Sequence, residues 1–172
     1  PVRFADTALW TAAKSRALPA LSSPRLYPLP QPAAPFCGQV GKSKMFGKFC
    51  ARLEQEARST QPLLLCGESG SGKELAARAI HQLSGRAGKF VAVNVAELSP
   101  ALIGSELFGH RKGAFTGAGE DREGLFAAAQ GGSLLLDEIG DLPLDCQIPF
   151  LRVLDRGEVR RLGENQVRKV DT

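Results

Sequence analysis

Residues 63–74 read Leu63-Leu64-Leu65-Cys66-Gly67-Glu68-Ser69-Gly70-Ser71-Gly72-Lys73-Glu74, and this stretch decides the fold. Pro62 precedes a short apolar run that suits a buried strand. Downstream, Leu75, Ala76, Ala79, Ile80 and Leu83 recur at helical spacing, and the pattern stops at Gly85. Between strand and helix lies the pattern GxxxxGK. Glycines there let successive backbone N–H groups converge on one point, and the helix start adds free donors and partial positive charge. Lys73 supplies a full charge for the β and γ phosphates of a nucleotide. The competing reading is a plain Gly/Ser turn capped by a lysine; the strand before and the helix after argue against it. Glu74 stands where Ser or Thr holds magnesium in the general motif, although a carboxylate can also face a hydrated metal.

Working outward, Met45, Phe46, Phe49, Leu53 and Ala57 predict an amphipathic helix over roughly 44–58. Phe90-Val91-Ala92-Val93 reads as a second buried strand and Leu134-Leu135-Leu136 as a third. Ser99-Pro100 looks like an N-cap with proline at the first helical position, opening a helix to about residue 108. A glycine-rich loop over 109–119, a helix near 123–130 and a helix after Pro143 follow, and an Arg-rich segment closes the chain. Strands alternating with helices indicate an α/β domain with a mainly parallel sheet. Seven of the eleven prolines fall in the first 35 residues, so residues 1–36 read as a Pro-rich linker or the tail of an upstream domain.

The third strand ends in Asp137-Glu138. Adjacent side chains at a strand end point to opposite sides, so one carboxylate can hold Mg²⁺ while the other orients and deprotonates an attacking water. Asp137 is the metal candidate and Glu138 the general base. The loop Gly113-Ala114-Phe115-Thr116-Gly117-Ala118 sets one aromatic and one hydroxyl among small residues. It reads either as an ordinary loop with Phe115 tucked into the core or as a mobile finger presenting Phe115 and Thr116 to a partner. Physical argument alone leaves both open.

Ser105-Glu106-Leu107-Phe108-Gly109-His110 leading into GAFTGA resembles the AAA+ ATPase domain of sigma-54-dependent transcriptional activators, the bacterial enhancer-binding proteins. GESGSGKE at 67–74 looks like that family's own phosphate loop, so Glu74 becomes a family trait. The run from Gly124 through Gly131-Gly132-Ser133 to Ile139 resembles its second nucleotide signature, and Gln147, Leu151-Arg152-Val153-Leu154 and Arg160-Arg161-Leu162-Gly163 resemble the segment beyond. The likeness covers about residues 37–172. It implies a P-loop NTPase of the AAA+ type, a three-layer sandwich. By resemblance, Gly67, Glu68, Ser69, Gly70, Ser71, Gly72, Lys73, Glu74, Gly131, Gly132 and Asp137 bind ATP, with Mg²⁺ on Asp137, and Glu138 activates water. Asn94 matches the asparagine that holds the catalytic Glu in an inactive pose. The GAFTGA residues match those that contact sigma-54. Gly38-Gln39 matches the edge of the adenine pocket, and a second contact loop is expected just after Asp141-Leu142-Pro143.

The resemblance also implies a cytoplasmic, homo-oligomeric ring that reaches DNA through another domain. The family continues with a fourth strand, arginine fingers and a helical lid. The alternative expectation is therefore a truncated piece that binds nucleotide or sigma-54 without hydrolysis, with open edges on the phosphate-loop strand and the Asp137-Glu138 strand. Gly104 and Arg111 replace residues usually acidic near GAFTGA, and Pro149 sits inside an expected helix. The remaining composition is unremarkable: 43% hydrophobic, 23% charged and a net charge of +4, with no apolar stretch near the ~20 residues of a membrane span. Four dispersed cysteines and two histidines suit reduced thiols rather than a zinc site. Acidic residues interleaved in the Arg-rich tail favour a solvated or subunit-facing surface over DNA binding.

Overall fold

Two units make up the chain, Pro1–Gly85 and Arg86–Thr172. Within them the computed structural model describes Arg3–Phe4, Gly41 and residues 43–172. The expectations for most of the linker, for Cys37 and for the adenine edge at Gly38-Gln39 lie outside the described residues.

In the first unit, Ser43 accepts the Phe46 N–H on its hydroxyl at 3.0 Å and so caps helix α1 (Lys44–Glu56). The helix buries Cys50 and Leu53. Strand β2 (Leu63–Leu64) leads into the glycine loop, and helix α2 (Lys73–Ser84) leaves it, ending at Gly85 in the left-handed region (φ 68°). Leu53, Ala76 and Ala79 form a small core onto which Phe49, Leu65 and Ile80 pack. Leu65 thus contributes to packing rather than to the strand ladder. Arg3–Phe4, expected as linker, forms strand β1 and pairs in parallel with β2. An open strand edge is a row of unpaired donors and acceptors, which another stretch of backbone readily completes.

The second unit is built on β3 (Phe90–Asn94) and β6 (Ser133–Asp137), parallel over five rungs from Phe90↔Ser133 to Asn94↔Asp137. A parallel pair needs a long crossover, here residues 95–132. Ile103, Leu107, Phe108 and Phe126 from that crossover join Val95, Leu142, Cys146, Val153 and Val159 in one core. The Phe108 and Phe126 rings stack at 5.8 Å. The parallel α/β reading therefore holds.

Three boundaries differ from the sequence reading. Helix α3 spans Ile103–Phe108 rather than starting at Pro100, because the Ser99 carbonyl first closes a turn by accepting from Leu102 and Ile103. Gly109–His110 forms strand β4, antiparallel to β5 (Arg122–Glu123), where loop and helix were expected. Helix α4 is consequently short, Leu125–Ala128. After α5 (Leu144–Arg156), the Arg-rich segment folds into a hairpin of β7 (Glu158–Arg160) and β8 (Val167–Lys169). Among the described residues Cys66 and Cys146 are free thiols. Burial, and then Asp145, pushes the Cys146 thiol above its ordinary value and keeps it protonated. No helix among the described residues is long and apolar enough to cross a membrane.

Pro149 lies at the sixth residue of α5, beyond the first turn. It has no N–H to offer the Asp145 carbonyl, and its ring crowds that oxygen. Pro149→Ala is expected to stabilise the fold by up to ~3 kcal/mol, read as a higher denaturant midpoint at unchanged slope. An unchanged midpoint would show that the helix already absorbs the proline without cost.

Candidate functional site

The phosphate loop occupies the join of β2 and α2. Gly70 and Gly72 hold φ of 73° and 89°, a region other residues enter only with strain, and open space lies where their Cβ atoms would stand. Ser71 N–H donates to the Glu68 carbonyl at 3.2 Å, folding the loop over. The Lys73 Nζ donates to the Gly67 and Glu68 carbonyls at 3.3 Å each, so the ammonium lies along the curve of the loop. A Cβ on Gly67 would fall 2.7 Å from the Ser71 hydroxyl. Glu74 sits in the first helical turn, where its charge favours the helix dipole, and takes both Arg78 donors at 3.0 and 2.8 Å. Its carboxylate is thus engaged along the helix.

Asp137 ends β6 and Glu138 follows it directly. Asp137 Oδ1 accepts the Glu138 N–H at 3.1 Å. Glu138 takes φ 52° and ψ 46°, and among the described residues it alone of the non-glycines has positive φ. Backbone strain of this kind is held only where the surrounding structure over-determines it. Asn94 is brought beside this pair as the ladder partner of Asp137. Its amide is otherwise occupied: Oδ1 accepts from Ala96 N–H at 3.0 Å and Nδ2 donates to Glu97 at 3.3 Å. The expected hold of Asn94 on Glu138 is absent from this arrangement, because Asn94 caps the following 3-10 turn (Val95–Glu97).

Gly131 and Gly132 stand where two backbone segments cross closely. They precede β6 at the end opposite Asp137, five residues from Gly132 and roughly 17 Å in an extended strand. Gly131 receives the Gly88 N–H on its carbonyl, and a Cβ on Gly132 would stand 2.1 Å from the Lys89 oxygen. Their small size serves a close backbone crossing. Just after Pro143, Leu144 begins α5, the helix expected there.

GAFTGA is the tip of the β4–β5 hairpin. Gly113 N–H donates to Ala118 at 2.8 Å, and Ala118 N–H donates to Phe115 at 3.0 Å. Phe115 is half-buried and packs edge-on against His110 at 5.0 Å, while Thr116 is exposed. Buried His110 shares a 2.6 Å hydrogen bond with buried Ser105. The ring is thus seated at the base of the tip, while Thr116 lies at the surface. Leu162 joins the hairpin through Leu162 N–H to Gly109 (2.9 Å) and Arg111 N–H to Leu162 (3.0 Å). Gly163, with φ 74°, leaves room for Ala114.

Sequence reasoning missed the ion pairs that frame this hairpin. Arg122 bonds Glu106 at 2.7 Å, and buried Arg161 bonds Glu123 at 2.9 Å. Arg161 therefore departs from the solvated surface expected of the tail, and residues 38 apart in sequence gave no local signal. Asp121 accepts the Lys112 N–H at 2.8 Å and pairs with the Arg111 guanidinium. The Lys112 N–H, with Arg111, Arg161 and His110 adding, holds the Asp121 carboxyl below its ordinary range, against a smaller effect of burial. A depressed carboxyl contributes above its ordinary range and loses that contribution as pH falls through the folded value.

The sigma-54 interaction domain family matches residues 39–172. The Nif-specific regulatory protein of Azorhizobium caulinodans is 53% identical over 135 residues, covering 78% of this chain and 22% of that protein. The sigma54-dependent transcriptional activator SfnR of Pseudomonas putida is 56% identical over 117 residues, 67% of this chain and 32% of that protein. Among solved structures, NtrX from Brucella abortus in complex with ATP superposes with a TM-score of 0.68 at 38% identity, over 77% of this chain and 28% of that one. The chain thus spans about a fifth to a third of the length of these relatives. The chain belongs to the sigma-54 interaction domain family.

Proposed function

We propose that this chain is the ATP-binding part of a sigma-54-dependent transcriptional activator, coupling ATP hydrolysis to remodelling of sigma-54 RNA polymerase. The observation that carries this reading is the pairing, in one chain, of the Lys73 loop between β2 and α2 with a hairpin that presents Thr116. In this reading the N–H groups of residues 67–73 and the Lys73 ammonium bind the nucleotide phosphates. Mg²⁺ keeps several waters and takes one or two carboxylates plus substrate phosphates, which suits a single carboxylate such as Asp137. When bound, it neutralises charge on the phosphate oxygens. Glu138 orients and deprotonates the attacking water. Gly113, Ala114, Phe115, Thr116, Gly117 and Ala118 contact sigma-54. The same reading places the protein in the cytoplasm as a homo-oligomeric ring, with DNA bound by a domain outside these residues.

The direct test is Lys73→Ala, studied in the protein at its full natural length. Losing a charged donor to phosphate costs about 1.5–3 kcal/mol, so ATP affinity should fall roughly 10–150-fold by calorimetry. Unchanged affinity would remove the phosphate-loop assignment.

A further inference from the structure

The two limbs of the GAFTGA hairpin share only two ladder rungs, Gly109↔Glu123 and His110↔Arg122. Past the second rung, eleven residues form the loop. The ion pairs Arg122–Glu106 and Arg161–Glu123 both attach at the ladder itself. Asp121 is different, because it lies on the loop side of the last rung and reaches across to the opposite limb. Oδ1 takes the Lys112 N–H at 2.8 Å, and Oδ2 takes the Arg111 guanidinium. One carboxylate therefore ties two consecutive residues of the outgoing limb to the returning limb, just before Gly113 opens the tip. The resemblance makes residue 111 usually acidic, whereas here it is Arg111 with an aspartate facing it.

We propose that Asp121 is a positioning residue for the Phe115–Thr116 tip: by clamping Arg111 and the Lys112 backbone it fixes the direction in which the tip leaves the hairpin. This rests on the reading of the tip as the sigma-54 contact. An exposed ion pair alone contributes little, and both partners here are about half exposed. The added backbone hydrogen bond is what gives the clamp its geometry, since a side chain cannot reorient without also releasing the Lys112 N–H. Such a group tunes a contact rather than making it, so its removal should weaken the contact several-fold and not abolish it.

The test uses the protein at its full natural length, with Asp121→Ala and Asp121→Asn compared with Phe115→Ala. Three readouts are taken: amide exchange at Lys112 and Ala118, affinity for sigma-54, and ATP turnover. Asp121→Ala should speed exchange at Lys112 at least tenfold and weaken sigma-54 binding by roughly three- to tenfold, more than any change in turnover. Asp121→Asn keeps an acceptor for Lys112 but loses the ion pair, so it should restore most of the exchange protection and part of the affinity. If Asp121→Ala binds sigma-54 as the parent does while Phe115→Ala does not, the clamp is wrong and the tip reading stands. If Phe115→Ala also binds normally, the tip reading fails and takes the partner half of the proposal with it. A fall in turnover matching the fall in binding would point to damage beyond the hairpin and would overturn the clamp as well.

Discussion

On the proposed reading, Glu138→Gln should leave ATP bound and stop its hydrolysis in the protein at its full natural length. Glu138 follows β6 directly, and its exposed side chain projects from a backbone held at φ 52°. For a residue with a Cβ that conformation costs about 1–2 kcal/mol, and β6 together with the Asp137 Oδ1 bond to the Glu138 N–H holds it in place. Glutamine keeps the side-chain length and has the same backbone requirement, so the turn should survive. In the proposed role it would lose the ability to accept the proton of the attacking water, a step worth ~10²–10⁴-fold in rate. Single-turnover measurement should therefore show a fall of that size with ATP affinity within a few-fold of the parent. Hydrolysis at the parental rate would place the base elsewhere, whereas loss of ATP binding would mean that the substitution disturbed the end of β6.

The contrast between what sequence revealed and what it hid follows from how each element is specified. The strand, loop and helix around Lys73 were legible because apolar runs, glycines and helical periodicity are local signals, and the left-handed Gly70 and Gly72 meet the requirement that made those glycines readable. Leu134-Leu135-Leu136 before Asp137-Glu138 was legible for the same reason. The β4–β5 and β7–β8 hairpins were not. Their strands are two or three residues long and mostly polar, as in Arg122–Glu123 and Glu158–Arg160, so any alternation is too short to be read. They are specified instead by distant partners such as Leu162 on Gly109 and Arg161 on Glu123. A glycine pair such as Gly131-Gly132 signals close backbone approach without saying what approaches. Here it is Lys89 at the start of β3.

Phe115→Ala and Thr116→Ala should separate ATP turnover from transcription, and to different degrees. The two side chains occupy different environments at one tip. Thr116 is exposed and makes no hydrogen bond within the described residues, so its hydroxyl is available to a partner. Phe115 is half-buried with its ring against His110. Its truncation removes an aromatic contact, worth about 0.5–1.5 kcal/mol, that seats the tip, and on the proposed reading also contact area for the partner. A buried aromatic anchor at an interface typically costs 2 kcal/mol or more when cut to alanine, which corresponds to about 30-fold. Loss of one hydroxyl hydrogen bond costs about 1 kcal/mol, or roughly fivefold. Sigma-54 binding and promoter opening should thus fall most in Phe115→Ala and less in Thr116→Ala. Thr116→Ser, which keeps the hydroxyl, should recover most of the loss. ATP turnover should stay close to parental in all three, because none of these side chains belongs to the phosphate loop or to the Asp137-Glu138 pair. Promoter opening at the parental level in both alanine variants would show that GAFTGA is only the turn of a hairpin and that the sigma-54 contact lies on another surface.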